Sequence, residues 1–380
     1  MAWKPVKVNA RLWPTPFRKA TAVSFSRRSR FVTAAAMVLS AATVLASCSR
    51  AETDQGGGQP PPEADQGAAT EVRLGYFPNV THAPAIVGVE NGFFADELGS
   101  TTLTTQTFNA GPDEVNALLG GSLDVAFIGS GPAINAFTKS EGTIQLISGA
   151  VSGGAQLVVK PEITSQDQLK GATIATPQLG NTQDVALKKW LSEQDLSGDV
   201  TVANMKNPQI YDAFRSGEVD GGWLPEPWPS QLVEEAGAHV LLDEKQLWPD
   251  GKFPTTVMIA RSEFVRQHPE TVKALLRGAI AATEWAGNNT GEAKSVVNSA
   301  IEKLTGDTLS GPVLDRAFAN IELSPDPASA TYPQLAEDSV TAGVVDAAAE
   351  LSGFLDLSLL NEVLAEQGKP PVDAAGLQAN

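Results

Sequence analysis

The sequence predicts an α/β fold with two similar lobes, because short apolar strands alternate with helices and because one unit occurs twice. Residues 117–132 read as a helix end, a glycine stop, an apolar strand and a glycine-rich turn into another helix. Residues 213–228 repeat this order, with Asp220 in the place of Asp124. A chain of 380 residues also exceeds what one compact core usually holds. Each lobe should therefore present a strand-end turn to a common cleft.

The first lobe is predicted to begin with a strand at 72–77, a helix from about residue 83 and a second strand at 101–108. Asn79 or Thr81 is an N-cap candidate for that helix, and Gly120 and Gly121 stop the next one. The continuous apolar run 125–128 is typical of a strand covered on both faces. Backbone N–H groups of the following turn then begin a helix, with Pro132 expected at its first position.

After strands at 143–149 and 155–160, the pattern starts again in the second lobe. Strands are predicted at 172–175, 200–205 and 240–243, with helices beginning at Asn181 or Thr182, at 208 and at 226. A strand at 255–260 returns the chain to the first lobe, and the remainder from Pro269 reads as helical. We predict lobe 1 at 71–157 and 256–380 and lobe 2 at 158–255, with the two crossovers as a hinge.

The N-terminus has the pattern of a secretory signal peptide over residues 1–47. Its first part carries eight Lys or Arg residues and no acid, and residues 31–47 are apolar and small. Leu45-Ala46-Ser47-Cys48 resembles the bacterial lipobox, which predicts that Cys48 is lipidated and becomes the mature N-terminus. Whether Arg27-Arg28 marks twin-arginine export stays open. Residues 48–70 are rich in Gly, Pro and acids, and are predicted to form a disordered tether.

Charge and cysteine content exclude several function classes. Removal of residues 1–47 would change the net charge from −17 to −25, and so acidic a body repels nucleic acid. Cys48 is the only cysteine in the chain, so the folded body has no disulfide, no thiolate metal site and no cysteine nucleophile. The three histidines are scattered singly, and we expect neither a metal nor a cofactor.

Polar turns at strand ends are the candidate ligand contacts, since most of them lie at a helix N-terminus, where N–H groups and the helix dipole hold anions. None of these turns contains Lys or Arg. The candidate walls for an organic tail, with core or hinge packing as the alternative, are Tyr76, Phe77, Trp223 and Trp228. The predicted ligand-binding residues are Tyr76, Asn79, Thr81, His82, Ser130, Gly131, Ser152, Gly153, Thr182, Gln183, Trp223 and Glu226.

Glu226 is the one acid among these candidates. A carboxylate in the cleft would repel a bare anion but would pair with an ammonium or a ring amine. Alternatively, it is a first-turn acid that favours the dipole of the following helix.

With these motifs in place, residues 71–370 resemble the substrate-binding lipoproteins of ABC importers in the nitrate, sulfonate and taurine group. The resemblance rests on four motifs: Leu74-Gly75-Tyr76 with Asn91-Gly92-Phe93-Phe94, Gly121-x-Leu-Asp124, Leu169-Lys170-Gly171, and Trp223-x-x-Glu226-Pro227. Gly-Asn-Thr-Gln-Asp at 180–184 resembles aliphatic-sulfonate binders in particular. The resemblance implies a two-lobed type II periplasmic-binding-protein fold and a monomeric, lipid-anchored, extracytoplasmic protein. It would capture a small organic anion and deliver it to a membrane permease, and an aliphatic sulfonate is the leading candidate for that anion.

Other functions stay open at this stage. Taurine, nitrate and a thiamine-precursor pyrimidine are alternative ligands within the same group. Some relatives on this fold are enzymes, but desulfination of their type needs a cysteine nucleophile that the folded body lacks. A lipid-anchored sensor is a third alternative. We therefore expect a binding protein and not an enzyme.

Overall fold

The computed structural model describes residues 65–379, so the predicted signal peptide, Cys48 and most of the predicted tether lie outside the described residues. Within them the chain is α/β, as predicted. The strands are β1 (Glu71–Tyr76), β2 (Thr102–Thr107), β3 (Val125–Ile128), β4 (Ile144–Gly153), β5 (Ala155–Val159), β6 (Thr173–Thr176), β7 (Thr201–Asn204), β8 (Gly221–Pro225), β9 (His239–Asp243), β10 (Pro254–Arg261) and β11 (Ile321–Leu323).

Helices fill most of the connections between these strands and make up most of the C-terminal third. They are α1 (Ala83–Glu90), α2 (Phe93–Leu98), α3 (Gly111–Leu119), α4 (Ser130–Lys139), α5 (Thr182–Glu193), α6 (Asn207–Ser216), α7 (Trp228–Ala236), α8 (Ser262–Gln267), α9 (Pro269–Asn288), α10 (Thr290–Thr305), α11 (Gly311–Asn320), α12 (Tyr332–Thr341) and α13 (Ser358–Glu366). Helix α4 begins at Ser130, two residues before the predicted start. Extended Gly129 is its N-cap, and a proline is tolerated throughout a first turn that needs no N–H donor.

The strands form two separate sheets, which define the two lobes used below. The first lobe has the order β11-β4-β10-β3-β1-β2, and the second has the order β7-β6-β8-β5-β9. One continuous core lies under the first sheet and its helices, whereas the second sheet has a core cluster on each face. Strands β1, β2 and β3 are parallel neighbours, and β6, β7 and β8 repeat that arrangement. The predicted duplication is therefore a structural repeat.

The repeated aspartates have the same structural role in both lobes. Asp124 Oδ2 accepts from Arg73 N at 2.9 Å, and Asp220 Oδ2 accepts from Thr173 N at 2.9 Å. Each carboxylate also has a cation beside it, Arg73 for Asp124 and Lys160 for Asp220, at 2.6 Å in both cases. The side chain thus extends the ladder between the first and third strands of each unit, which explains why the repeat keeps an acid there.

The chain passes between the sheets twice, from β4 to β5 at Gly154 and from β9 to β10 over residues 244–253. The predicted division at 157/158 falls inside β5, which pairs wholly within the second sheet. Ser152 and Gly153, predicted to lie in a turn, are the last residues of β4. The exact residue ranges of the two lobes stay a prediction.

Two segments near the ends of the described chain differ from expectation. Ile321–Leu323 adds a short antiparallel edge strand to β4, inside a stretch predicted as helical, because three residues are too few to leave a periodic signal. At the N-terminal side, Ala69 is buried, and its N–H donates to Thr271 Oγ1 at 2.9 Å. Gln66 N also donates to Gln267 O at 2.8 Å, so the last residues of the predicted tether contact the first lobe.

Candidate functional site

The two lobes enclose a cleft between the ends of their strands. It is lined by Phe77, Asn79, Thr81, His82, Asn109, Ala110, Gly129, Thr255 and Thr256 of the first lobe and by Pro177, Asn181, Thr182, Gln183, Asn207 and Pro225 of the second. Five predicted site residues are therefore brought together here: Asn79, Thr81, His82, Thr182 and Gln183. The cavity volume is about 30 Å³, which is room for about two or three water molecules.

Four helix N-termini converge on this cleft. Ala110, Gly129 and Asn181 are the N-cap residues of α3, α4 and α5, and Asn207 is the first residue of α6. Each helix start carries N–H groups that have no partner within the helix, together with the positive end of a helix dipole. None of the lining side chains is Lys, Arg, Asp or Glu. The cleft is thus neutral in formal charge and rich in donors, which is the environment predicted for an anion held without a cation.

Side chains of the second lobe reach across the cleft to helix starts of the first. Gly111 N donates to Asn181 Oδ1, and Gly131 N donates to Thr182 Oγ1, both at 3.2 Å. The approach is close enough to require glycine: a Cβ on Gly129 would lie 2.8 Å from Thr182 Oγ1. The lobes are therefore in contact at the cleft, and Thr182 still has its own O–H to donate.

His82 supplies a neutral donor to the cleft. Its ring is fully buried and stacks on Phe77 at 4.5 Å, and burial lowers its pKa to about 3. Phe77 N donates to His82 Nδ1 at 3.3 Å, so the single ring proton of the neutral form is on Nε2. The imidazole accordingly stays uncharged at neutral pH. Nearby, Asn79 Oδ1 accepts from Trp228 Nε1 at 3.4 Å, which leaves the Asn79 amide nitrogen as a further donor.

Of the four predicted walls for an organic tail, Phe77 lines the cleft, whereas Tyr76, Trp223 and Trp228 are not among its lining residues. Tyr76 belongs to the core of the first lobe. Trp223 is fully buried in the second-lobe core, packs edge-on against Trp190, and donates from Nε1 to Glu244 Oε2 at 2.7 Å. Burial raises the pKa of Glu244 to about 7. Tyr76 and Trp223 therefore pack in the cores of their lobes, which was the predicted alternative, because their positions on the strands point them inward.

Glu226 is buried and bonded on several sides, and its bond from Ser230 N in the first turn of α7 agrees with the predicted alternative of an acid that favours this helix. Asn320 Nδ2 donates to Glu226 Oε1 at 2.7 Å, Arg316 Nη1 lies 3.4 Å from the same oxygen, and Ser230 N donates to Oε2 at 3.3 Å. Arg316 also donates to Ser230 Oγ and to Gln156 Oε1. Burial raises the pKa of Glu226, while these bonds act in the opposite direction. The carboxylate is a hinge group that ties α11 to the second lobe.

The other candidates at the first crossover also have structural partners. Ser152 Oγ accepts from Phe253 N at 3.2 Å, and Thr255 Oγ1 donates to Gly153 O. These bonds tie one crossover to the other, and neither Ser152 nor Gly153 lines the cleft. Ser130 and Gly131 lie directly behind the lining residue Gly129, with Ser130 fully buried. Ligand contact by these four residues stays a prediction.

Sequence reasoning missed Asn109, Asn207, Thr255 and Thr256 as lining residues. For the two asparagines a signal existed in the repeat. Asn109 follows β2 and precedes Pro112, while Asn207 follows β7 and precedes Pro208, and β2 and β7 hold equivalent places in the two sheets. The two threonines carried no such signal, because β10 reads as a plain strand returning to the first lobe.

No helix among residues 65–379 is both long and apolar enough to span a bilayer. Over the same residues, no three His, Cys, Asp or Glu side chains are grouped so that they could hold a metal ion.

Solved structures with the same architecture support a type II periplasmic-binding-protein fold. The alkanesulfonate-binding protein SsuA of Xanthomonas axonopodis pv. citri, bound to MOPS, has a TM-score of 0.59 at 20% identity, over 72% of this chain and 92% of that one. The periplasmic nitrate-binding protein NrtA of Synechocystis PCC 6803 has a TM-score of 0.65 at 18% identity, over 82% and 91%. The predicted two-lobed fold is confirmed.

Sequence relatives agree with the fold. The taurine-binding periplasmic protein of Escherichia coli K12 is 29% identical over 319 residues, which are 82% of this chain and 91% of that protein. The nitrate/nitrite binding protein NrtA of a Nostoc species is 23% identical over 277 residues, or 67% and 62% of the two chains. Both are described as binding proteins. Residues 65–301 match the NMT1-like family, so this chain belongs to the NMT1-like family.

Proposed function

We propose that this chain is the extracytoplasmic solute-binding protein of an ABC importer and that it captures a small oxyanion, an aliphatic sulfonate first. The observation that carries the proposal is the convergence of four helix N-termini on a cleft without a charged side chain. A sulfonate presents three acceptor oxygens and one negative charge, which oriented N–H and hydroxyl donors satisfy without a buried cation. Relatives and structural neighbours that bind taurine, nitrate and alkanesulfonate support the same class.

The lining chemistry ranks the candidate ligands. Taurine carries an ammonium, and no carboxylate lines the cleft to pair with it, since Glu226 is occupied by Arg316 and Asn320. Nitrate also offers only acceptor oxygens and one negative charge, which makes it the second candidate. A thiamine-precursor pyrimidine carries a ring amine, and no carboxylate lines the cleft to pair with it.

Titration calorimetry on residues 65–380 with ethanesulfonate, taurine, nitrate and hydroxymethylpyrimidine tests this order. We expect ethanesulfonate to bind at least about tenfold more tightly than taurine, because an unpaired ammonium in a neutral cleft costs about 1.4 kcal/mol or more. If titration with ethanesulfonate produced no more heat than titration with buffer alone, sulfonate capture would be refuted. Tight binding of taurine alone would mean that a carboxylate reaches the ligand.

We further propose that Cys48 is lipidated and anchors the protein to the outer face of the cell membrane, where it delivers its ligand to the permease. The lipobox and the absence of any second cysteine support this. In the full-length protein, Cys48→Ala should move the chain from the membrane fraction to the soluble one. Ser47→Ala, which keeps the cysteine and a small residue at the cleavage site, is the matched control and should stay with the membrane. If Cys48→Ala stayed in the membrane fraction, that result would argue against the anchor.

A further inference from the structure

We infer that the cleft holds a second polar subsite, formed by Asn207 of the second lobe and Thr256 of the first, that receives an uncharged hydroxyl on the ligand. The inference rests on the proposed function and names its ligand more closely: a short-chain sulfonate, or a similar oxyanion, with a hydroxyl group at the far end. Neither residue was among the sequence-predicted contacts.

Both side chains carry a buried polar atom without a partner. Among the described residues, Asn207 Oδ1 and Thr256 Oγ1 accept and donate no hydrogen bond, although the side chains are 5% and 1% exposed. Leaving such an atom buried and unpaired costs about 1–3 kcal/mol. Both residues line the cleft. Two unsatisfied groups from different lobes that line one cavity indicate that a ligand, and not the protein, completes their hydrogen bonds.

Their position in one cleft brings both groups to the same ligand. Asn207 is the first residue of α6, and Thr256 lies in β10. Because both residues line this cleft, a ligand bound in it lies beside both of them. The subsite is therefore completed only when the lobes are closed on the ligand, since its two halves belong to different lobes.

The chemistry of the two atoms selects the ligand group. An amide oxygen only accepts a hydrogen bond, whereas a hydroxyl both donates and accepts. A ligand hydroxyl can donate to Asn207 Oδ1 and accept from the Thr256 O–H, which satisfies both. A methyl group would leave both unpaired. An ammonium would find acceptors but no counter-charge, because none of the lining side chains is acidic.

Three two-carbon sulfonates that differ only at the far end test the inference: 2-hydroxyethanesulfonate, ethanesulfonate and 2-aminoethanesulfonate. By calorimetry we expect the hydroxyl compound to bind about tenfold more tightly than the ethyl compound. In Asn207→Leu and in Thr256→Val the two compounds should bind with about equal affinity, because the hydroxyl then has lost one of its two partners. Asn116→Leu, an exposed asparagine on α3, is the control and should keep the full preference.

Two variants on different elements keep the test valid if one of them folds poorly, and thermal unfolding of each is measured first. Equal affinity of the hydroxyl and ethyl compounds for the parent protein would overturn the subsite while leaving sulfonate capture intact. The subsite would also be overturned if both variants kept the preference for the hydroxyl compound over the ethyl compound. The same holds if the parent protein bound the amino compound more tightly than the hydroxyl compound. Failure of all three sulfonates to bind would instead refute the proposed function, and the inference with it.

Discussion

Arg316→Met should lower the free energy of unfolding by about 3–5 kcal/mol, because it leaves a buried carboxylate without its cation. Glu226 is fully buried, and the Arg316 side chain is 19% exposed. The same guanidinium donates to Ser230 Oγ at 2.8 Å and to Gln156 Oε1 at 2.6 Å, so three groups of the second lobe lose a partner together. Methionine keeps an unbranched apolar stem of similar length. Urea unfolding followed by tryptophan fluorescence measures the loss.

The pH dependence of that loss has a defined sign. Burial raises the pKa of Glu226 in the folded protein, and the Arg316 charge opposes the rise, so its removal raises that pKa further. The folded state then holds a proton that the unfolded state releases above about pH 4.5, and stability falls as pH rises. The deficit of Arg316→Met should therefore be larger at pH 8 than at pH 5. A deficit that does not change with pH would mean that Glu226 is not the group left unpaired.

Asp315→Asn is the matched control on the same helix. Asp315 forms an ion pair with Lys294 at 2.7 Å but is 73% exposed, so its loss should change stability by no more than about 0.5 kcal/mol. Glu226→Gln combined with Arg316→Met should recover part of the stability, because no charge is then left buried alone. A double variant as unstable as the sum of the two single ones would assign the effect to packing.

Thr182→Val should weaken binding of ethanesulfonate by about ten- to a hundredfold. The valine has nearly the same shape, but it removes the oxygen that accepts from Gly131 N across the cleft at 3.2 Å. It also removes the hydroxyl proton that remains available for a ligand oxygen. The substitution therefore affects both the contact between the lobes and the proposed contact with the anion. Calorimetry gives the affinity, and small-angle scattering gives the compaction on binding.

Thr182→Ser keeps the hydroxyl and should bind within about threefold of the parent. Thr201→Val, an exposed threonine on β7 of the same lobe, controls for the general effect of losing a hydroxyl. We expect the saturated parent to be more compact than the ligand-free protein and Thr182→Val to lose part of that difference. If Thr182→Val binds every anion as the parent does, the oxyanion site lies elsewhere.

The parts of the fold that depend on local pattern were predictable. Strand β3 has the bounds expected from its apolar run, and the duplicated unit predicted two similar sheets. The turn before α5 predicts a helix start with Asn181 or Thr182 as N-cap; Asn181 is the N-cap, and Asn181, Thr182 and Gln183 line the cleft. These features depend on periodicity, capping and glycine, which neighbouring residues fix.

The sequence by itself thus determined an α/β chain of two repeated units, with polar turns at its strand ends and without a cysteine in the folded body. Only the tertiary structure decided what those turns meet. Glu226 acquires Arg316 and Asn320 from a helix about ninety residues further along the chain. An acid that was predicted either to face an amine or to lie in the first turn of a helix is thus bonded within the protein. Asn207 and Thr256 come from different lobes and face one cavity. Such pairings depend on how two sheets close on each other, and no spacing in the sequence records that arrangement.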